Sequence, residues 1–381
     1  MEPSGKVEFA NTLRGLAAIF VVISHYYGVF WLRRDAAASL THAPELPLNI
    51  FGVPNYISII NSWPSFNFGY FGVALFFLIS GFVIPFSLRK GTGLSFLIGR
   101  GFRIVPTYMV GFTVTLLGVY FSVSYFSVSW PFTVSQVLVH YIPGLRDLLL
   151  SADIDGVVWT LEVEVKFYIL CALAAPLFKA RSPWVLAIPV ALIAVYFSIN
   201  GLLAGMSNSG SLNPIRYSSI MLPINFIVFM FVGVTLNLMY SCDIRERTGL
   251  FMVSFLFIGF CYLLQEGPAK AVLDMAWSYG LALVVFLFAY AFPMFFKSNR
   301  VFDFFASISY PLYVVHGVAG YVALRVLLDL GLKAWLSLII VTACAIIVAW
   351  IIHEVIESRS QLIGKKIVGM VFGGSAKSAA A

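Results

Sequence analysis

Two histidines, a glutamate and three arginines stand where an apolar chain has least reason to put them. The segment T-L-R-G-L-A-A-I-F-V-V-I-S-H carries Arg14 and His25, 11 residues apart. At about 100° per residue this spacing returns to within roughly 20° of the same helix face, with about 16 Å between the two along the axis. A guanidinium holds phosphate through charge-assisted hydrogen bonds, and an imidazole moves protons near neutral pH. The segment V-W-T-L-E-V-E-V-K-F-Y carries Glu162, Glu164 and Lys166. Glu162 and Lys166 have the i,i+4 spacing and order of a local pair. Glu164 points about 200° away from Glu162, so it needs another partner or a proton. The segment S-Y-P-L-Y-V-V-H sets Ser309, Tyr313 and His316 at i, i+4 and i+7. Arg100 and Arg103, at i,i+3 ahead of I-V-P-T-Y, join Arg14, Arg89 and Lys90 in a basic cluster suited to a polyphosphate.

Each of these residues also has a plain reading. Arg14, Arg100 and Arg103 read as cytoplasmic anchors of hydrophobic spans. His25 and His316 read as partners in contacts between helices. His353, Glu354 and Glu357 read as solvated or paired near the headgroups, and His42 and His140 as loop residues. What separates the two readings is the set of elements that must carry these side chains.

Those elements are membrane helices. Of 381 residues 60% are hydrophobic and 11% charged, and the mean hydropathy is +0.93. A soluble domain has about a quarter of its residues charged. The net charge of +7 needs no nucleic-acid partner, because positive cytoplasmic loops account for it. The cysteines Cys171, Cys242, Cys261 and Cys344 form no C-x-x-C pair, so neither a disulfide framework nor a metal site is expected.

Crossing about 30 Å of hydrocarbon takes roughly 20 apolar residues. Ten such runs lie near 13–32, 68–88, 103–124, 157–178, 184–203, 217–240, 249–265, 269–296, 301–325 and 335–356. With the N-terminus in the cytoplasm, the inside segments hold 16 Lys and Arg and the outside segments 7, with Lys166 inside a span. The expected class is therefore an all-α polytopic membrane protein of about ten helices with both termini cytoplasmic. Residues 8–360 form one membrane domain, and 361–381 form a tail expected to lack order. In this arrangement His25 and Glu164 lie about seven residues from the outer ends of their spans, and His316 about nine. Three helices thus bring His, Glu and His to one layer, which a bland membrane scaffold does not predict.

These segments resemble the membrane acyltransferase 3 family, whose members O-acylate polysaccharides, lipopolysaccharide and other acceptors. Arg14 and His25 match its Arg-x10-His signature. F-G-V-A-L-F-F-L-I-S-G-F-V-I resembles its second span, and Arg100, Arg103 and Pro106 its Arg-x-x-Arg and following proline. W-T-L-E-V-E-V-K-F-Y aligns Glu164, not Glu162, with the family glutamate, and S-Y-P-L-Y-V-V-H ends on His316. The last motif departs from the pattern, with Glu357 kept and no proline after I-E-S-R. No periplasmic hydrolase-like domain follows, which reads as a stand-alone member.

The resemblance implies transfer of an acyl group, usually acetyl, from cytoplasmic acyl-CoA to a hydroxyl of an extracytoplasmic sugar-containing acceptor. Acyl-CoA is then a cosubstrate and no tightly bound cofactor is expected. Arg14, Arg100 and Arg103 would hold the CoA phosphates. His25 would be general base or transient acyl carrier, Glu164 would orient or charge-balance a histidine, and His316 with Tyr313 would hold the acceptor or the oxyanion. Ser309 and Trp159 complete the expected acceptor site. The expected partners are the donor, a glycan or glycolipid and membrane lipids; a homodimer is compatible, and the expected location is a bacterial inner membrane. The rival class is a secondary transporter or exporter of a lipid-linked glycan, since intramembrane His and Glu also serve proton relays. No matched pair of interrupted helices is seen in the sequence, which weighs against it.

Overall fold

The computed structural model describes residues 7–57, 66–268 and 273–372. They fold as helices, with no strand among them. Among the described residues seven helices are long and apolar enough to cross a membrane: Glu8–Leu32, Phe68–Leu88, Gly93–Tyr125, Pro183–Asn208, Pro214–Tyr240, Glu246–Glu266 and Ala334–Phe372. Ser309–Val315 and Val318–Asp329, bent by 56° at their junction, make an eighth when taken together. Val158–Leu173 and Leu273–Ala291 occupy the two remaining expected spans. Below, α1 is Glu8–Val22, α2 Phe68–Leu88, α3 Gly93–Tyr125, α4 Val158–Leu173, α5 Pro214–Tyr240, α6 Ser309–Val315, α7 Val318–Asp329 and α8 Ala334–Ile352.

Local chemistry sets several helix starts. Asn67 caps α2 by accepting from the amides of Gly69 and Tyr70, and Thr92 with Ser95 forms a reciprocal box at the start of α3. Asn213 followed by Pro214 opens α5. The helix α2 is apolar on every side and lies at the centre, against α1 and α5, as a helix without a polar face must. Its closest approach is to α5. A Cβ on Gly81 would lie 2.0 Å from the Met230 carbonyl, and one on Gly233 2.3 Å from that of Leu78. The expectation that Gly81 lets backbones approach rests on this contact, where lipid offers no hydrophobic drive and close packing must supply the attraction.

The loops sort to two ends. Asp243 takes Arg89 and Arg181, and Asn11 of α1 reaches Asp303 at 2.6 Å. At the opposite end Tyr125 donates to Asp329 at 2.9 Å and Arg325 to the Pro44 carbonyl at 3.1 Å. Segments expected to share a side do share it.

Three expectations need correction. The span drawn as a continuous 301–325 is broken at His316–Gly317, because a proline inside the run and two glycines after it weaken helix continuity. The span drawn over 157–178 is a 16-residue helix, about 24 Å long, and residues 133–157 pack beside its outer end. The tail expected to lack order from 361 is helical as far as Phe372, where Gly364 lies against the Phe102 ring; residues 373–381 lie outside the described part.

Gly81→Val should lower the thermal midpoint in detergent sharply or prevent recovery of folded protein, through overpacking of the α2–α5 contact. Gly99→Ala, where an added Cβ meets nothing within 4 Å, should be neutral or stabilising by up to about 1 kcal/mol. Equal midpoints for the two variants would show that the contact does not limit stability.

Candidate active site

The basic cluster is built by α1 and the first turns of α3. Arg14 on α1 and Arg100 and Arg103 on α3 all line a narrow slot of about 80 Å3. Arg100 lies over the rings of Phe96 and Tyr168, 5.3 Å from each centroid. Neither Arg14 nor Arg103 makes a hydrogen bond or ion pair among the described residues. Both also line a second, wider cavity of about 630 Å3, with Asn11, Lys90, Ser307, His353, Glu357 and Gln361 around it. The two cavities therefore meet at these arginines. Arg89, counted above with the cluster, is engaged elsewhere, by Asp243, Asn237 and Ser241.

Along the slot, Glu164 accepts from the Ser80 hydroxyl at 2.7 Å and from the Tyr168 hydroxyl. Tyr168 sits four residues on from Glu164, so the i,i+4 rule could have found it. One turn back, Thr160 meets the Tyr313 hydroxyl at 2.6 Å. Ser309, buried, donates to the Ala306 carbonyl at 2.8 Å and also lines the slot. Trp159 does not line it; its ring packs on Phe226, 5.3 Å between centroids.

Beyond Tyr313 stand the two histidines. His316 is 5.6 Å from Tyr313 and 4.6 Å from His25, ring centroid to centroid, the second pair edge to face. His25 lies in a π-helical stretch, Ile23–Val29, that follows α1; such widened turns are frequent at functional sites. Its Nδ1 is 2.6 Å from the hydroxyl of Tyr321 on α7. His316 ends α6 at the helix break, with Nδ1 3.1 Å from the Leu312 carbonyl and 2.8 Å from that of Tyr313. Its Nε2 is buried with no hydrogen-bond partner among the described residues.

The structure thus joins His25 to His316 and places Glu164 with Ser80 and Tyr168. Glu164 makes no hydrogen bond to either histidine among the described residues, so the expectation that it orients one of them is not met by this geometry. Tyr321 escaped sequence reasoning because α7 turns away by 56°, and helical phase cannot be carried across such a break.

The expected Glu162–Lys166 pair is replaced by two longer-range pairs. Arg146 forks onto Glu162, with Nε to Oε1 at 2.8 Å, and Lys166 meets Asp147. Both partners come from one turn, Leu145–Leu148, in the outer loop. His140 also carries more than expected. It is fully buried, and the Tyr108 hydroxyl bridges its Nδ1 and Asp155 Oδ2 at 2.8 Å each. Asp155 Oδ1 in turn accepts from the amides of Val157 and Val158 and caps α4. Burial pushes the Asp155 carboxyl above its usual range, and neighbouring Asp153 adds to this. Ligand atoms of His140, Asp153 and Asp155 lie within 4.8 Å of one another. However, His140 Nε2 already accepts from the Ile154 amide at 3.0 Å, so the group reads as a hydrogen-bonded cap.

A polytopic membrane protein with a cationic cavity opening into a narrow slot that ends at Tyr313, beside a histidine pair, is the class this architecture defines. The chain belongs to the acyltransferase 3 family, described as an acyltransferase domain, which matches residues 7–354. Nodulation protein 10 of Rhizobium leguminosarum bv. viciae is 32% identical over 114 residues, which cover 26% of this chain and 31% of that protein. The match thus spans about a third of that relative's length. No solved structure matches the chain.

Arg146→Gln should leave buried Glu162 without its counter-charge and cost about 3–5 kcal/mol of stability, whereas Arg146→Leu with Glu162→Leu should recover most of it. Thermal unfolding in detergent reads both, and a double variant no more stable than the single one would argue against an ion-pair origin.

Proposed function

We propose that this membrane acyltransferase takes an acyl group, most simply acetyl, from acyl-CoA and delivers it to a hydroxyl of a sugar-containing acceptor on the far side of a bacterial inner membrane. The observation that carries the reading is the pair of partly buried guanidinium groups, Arg14 and Arg103, which make no hydrogen bond or ion pair among the described residues and stand where the two cavities meet. Placing charge at such a site is costly unless an anion completes it. The CoA phosphates supply that anion through charge-assisted hydrogen bonds. The wider cavity suits the nucleotide, and the slot suits the thin pantetheine arm. The slot ends at Tyr313, latched to Thr160, with the histidine pair immediately behind it. Turning Tyr313 aside brings the thioester to His25 and His316, where the acceptor arrives from the other side. CoA itself never crosses the membrane.

The broken helix over residues 309–329 is also a feature of secondary transporters, whose binding sites use interrupted helices. A transporter of lipid-linked glycan releases no CoA thiol from acyl-CoA, which separates the two readings.

Purified protein in proteoliposomes should release CoA thiol from acetyl-CoA when an extract of cell-surface glycans is supplied, and His25→Ala should slow the release by about 10²-fold or more. Thiol release unchanged in His25→Ala would remove that residue from the chemistry. No release under any condition, with glycan flux present, would favour transport. Arg103→Gln should raise the KM for acetyl-CoA about 10–100-fold with little change in kcat, as expected for a lost hydrogen bond to a charged group worth about 1.5–3 kcal/mol.

A further inference from the structure

His25 and His316 touch, yet their hydrogen-bond partners differ in kind. The Nδ1 atom of His316 faces two carbonyls. Carbonyls only accept, so the ring proton of a neutral His316 sits on Nδ1 and Nε2 carries a lone pair. That lone pair is buried and unpartnered. The Nδ1 atom of His25 faces the hydroxyl of Tyr321, which is itself buried and has no other hydrogen-bond partner among the described residues. A neutral imidazole has one donor and one acceptor. If Nδ1 held the proton, the Tyr321 hydroxyl proton would be left unused in the interior, an outcome native structures avoid. When Tyr321 donates to Nδ1, its hydroxyl proton is used and the His25 proton sits on Nε2.

Resting on the acyl-transfer reading, we propose that His316 is the general base, that His25 is the N–H donor to the thioester carbonyl oxygen, and that Tyr321 is the positioning residue that holds His25 in the donor tautomer. This reverses the assignment that the Arg-x10-His spacing suggests. The acceptor oxygen attacks the thioester carbon while its proton passes to His316 Nε2, and negative charge gathers on the carbonyl oxygen facing His25 Nε2–H. The C–S bond then breaks, and the proton on His316 Nε2 passes to the leaving sulfur, giving an ester and free CoA thiol. While protonated, His316 keeps its Nδ1–H on the carbonyls of Leu312 and Tyr313, which back it as a carboxylate backs the base of a triad. His25 has no carbonyl or carboxylate on Nδ1 to do the same.

Glutamine separates the roles, because its amide can donate but cannot act as a base. In the thiol-release assay His316→Gln should lose about 10²–10⁴-fold in kcat, the range for a deleted general base. His25→Gln should retain more activity than His25→Ala, whose loss should be about 10²–10³-fold, as for a missing oxyanion donor. Tyr321→Phe should lower kcat while leaving the KM for acetyl-CoA unchanged. Monodisperse elution in detergent establishes that each variant is folded. Should His25→Gln fall as far as His25→Ala, or His316→Gln retain more activity than His25→Gln, the role assignment is overturned. Unchanged kcat in Tyr321→Phe overturns the positioning role. Absence of turnover by the unsubstituted protein counts instead against acyl transfer from this donor.

Discussion

Charge in a hydrocarbon interior must be compensated, and most of this molecule follows from how that requirement is met. Moving ions out of water costs several kcal/mol each even after relaxation, so an apolar chain keeps few of them and pairs those it keeps. Arg146 with Glu162, Lys166 with Asp147 and Arg89 with Asp243 are such pairs. The first two tie a loop turn to a helix and the third ties two turns at helix ends, so compensation of charge also fixes the fold. Against this background Arg14 and Arg103 stand out, since the fold brings them together with Arg100 and lines their cavities with carboxylates already engaged, Glu164 by Ser80 and Tyr168 and Glu357 by His353 and Gln361.

Backbone groups obey the same rule. The break between α6 and α7 frees carbonyls that a continuous helix would have used, and in lipid these need partners. His316 supplies a donor to two carbonyls of the turn that precedes it. The bend therefore does two things at once: it locks one imidazole in a single tautomer, and it swings Tyr321 onto the other imidazole. The π-helical stretch carries His25, and the missing side chain at Gly320 leaves room for Tyr26, whose hydroxyl a Cβ there would approach to 2.1 Å.

The outer loop has a comparable task on the other side of the slot. Tyr108, His140 and Asp155 form a buried chain that ends on the first amides of α4. The carbonyl of Val157, fixed by that cap, accepts from Thr160, and Thr160 holds Tyr313. The rotamer of the residue that closes the slot is thus set by a hydrogen-bond chain reaching back to a loop histidine.

Composition and apolar run length determined the all-helical membrane class, and the Lys and Arg bias sorted the loops into two groups that the structure keeps together. Spacing also put Arg100 and Arg103 on one helix face, because such neighbours are set by a local repeat of about 3.6 residues, while the charge bias put Arg14, Arg89 and Lys90 at the same end. What the sequence could not supply was any pairing across a break or between distant segments. Glu162 and Lys166 satisfied a local rule, yet bonded to partners 16 and 19 residues away, because a bidentate guanidinium and a second carboxylate presented by one rigid turn outweigh a flexible i,i+4 contact. Trp159 read as a site residue and packs into an aromatic core; Tyr321 and His140 read as nothing and hold key positions. Local periodicity fixes which residues share a face, but which faces meet depends on bends, close glycine contacts and charge compensation, and those exist only once the chain has folded.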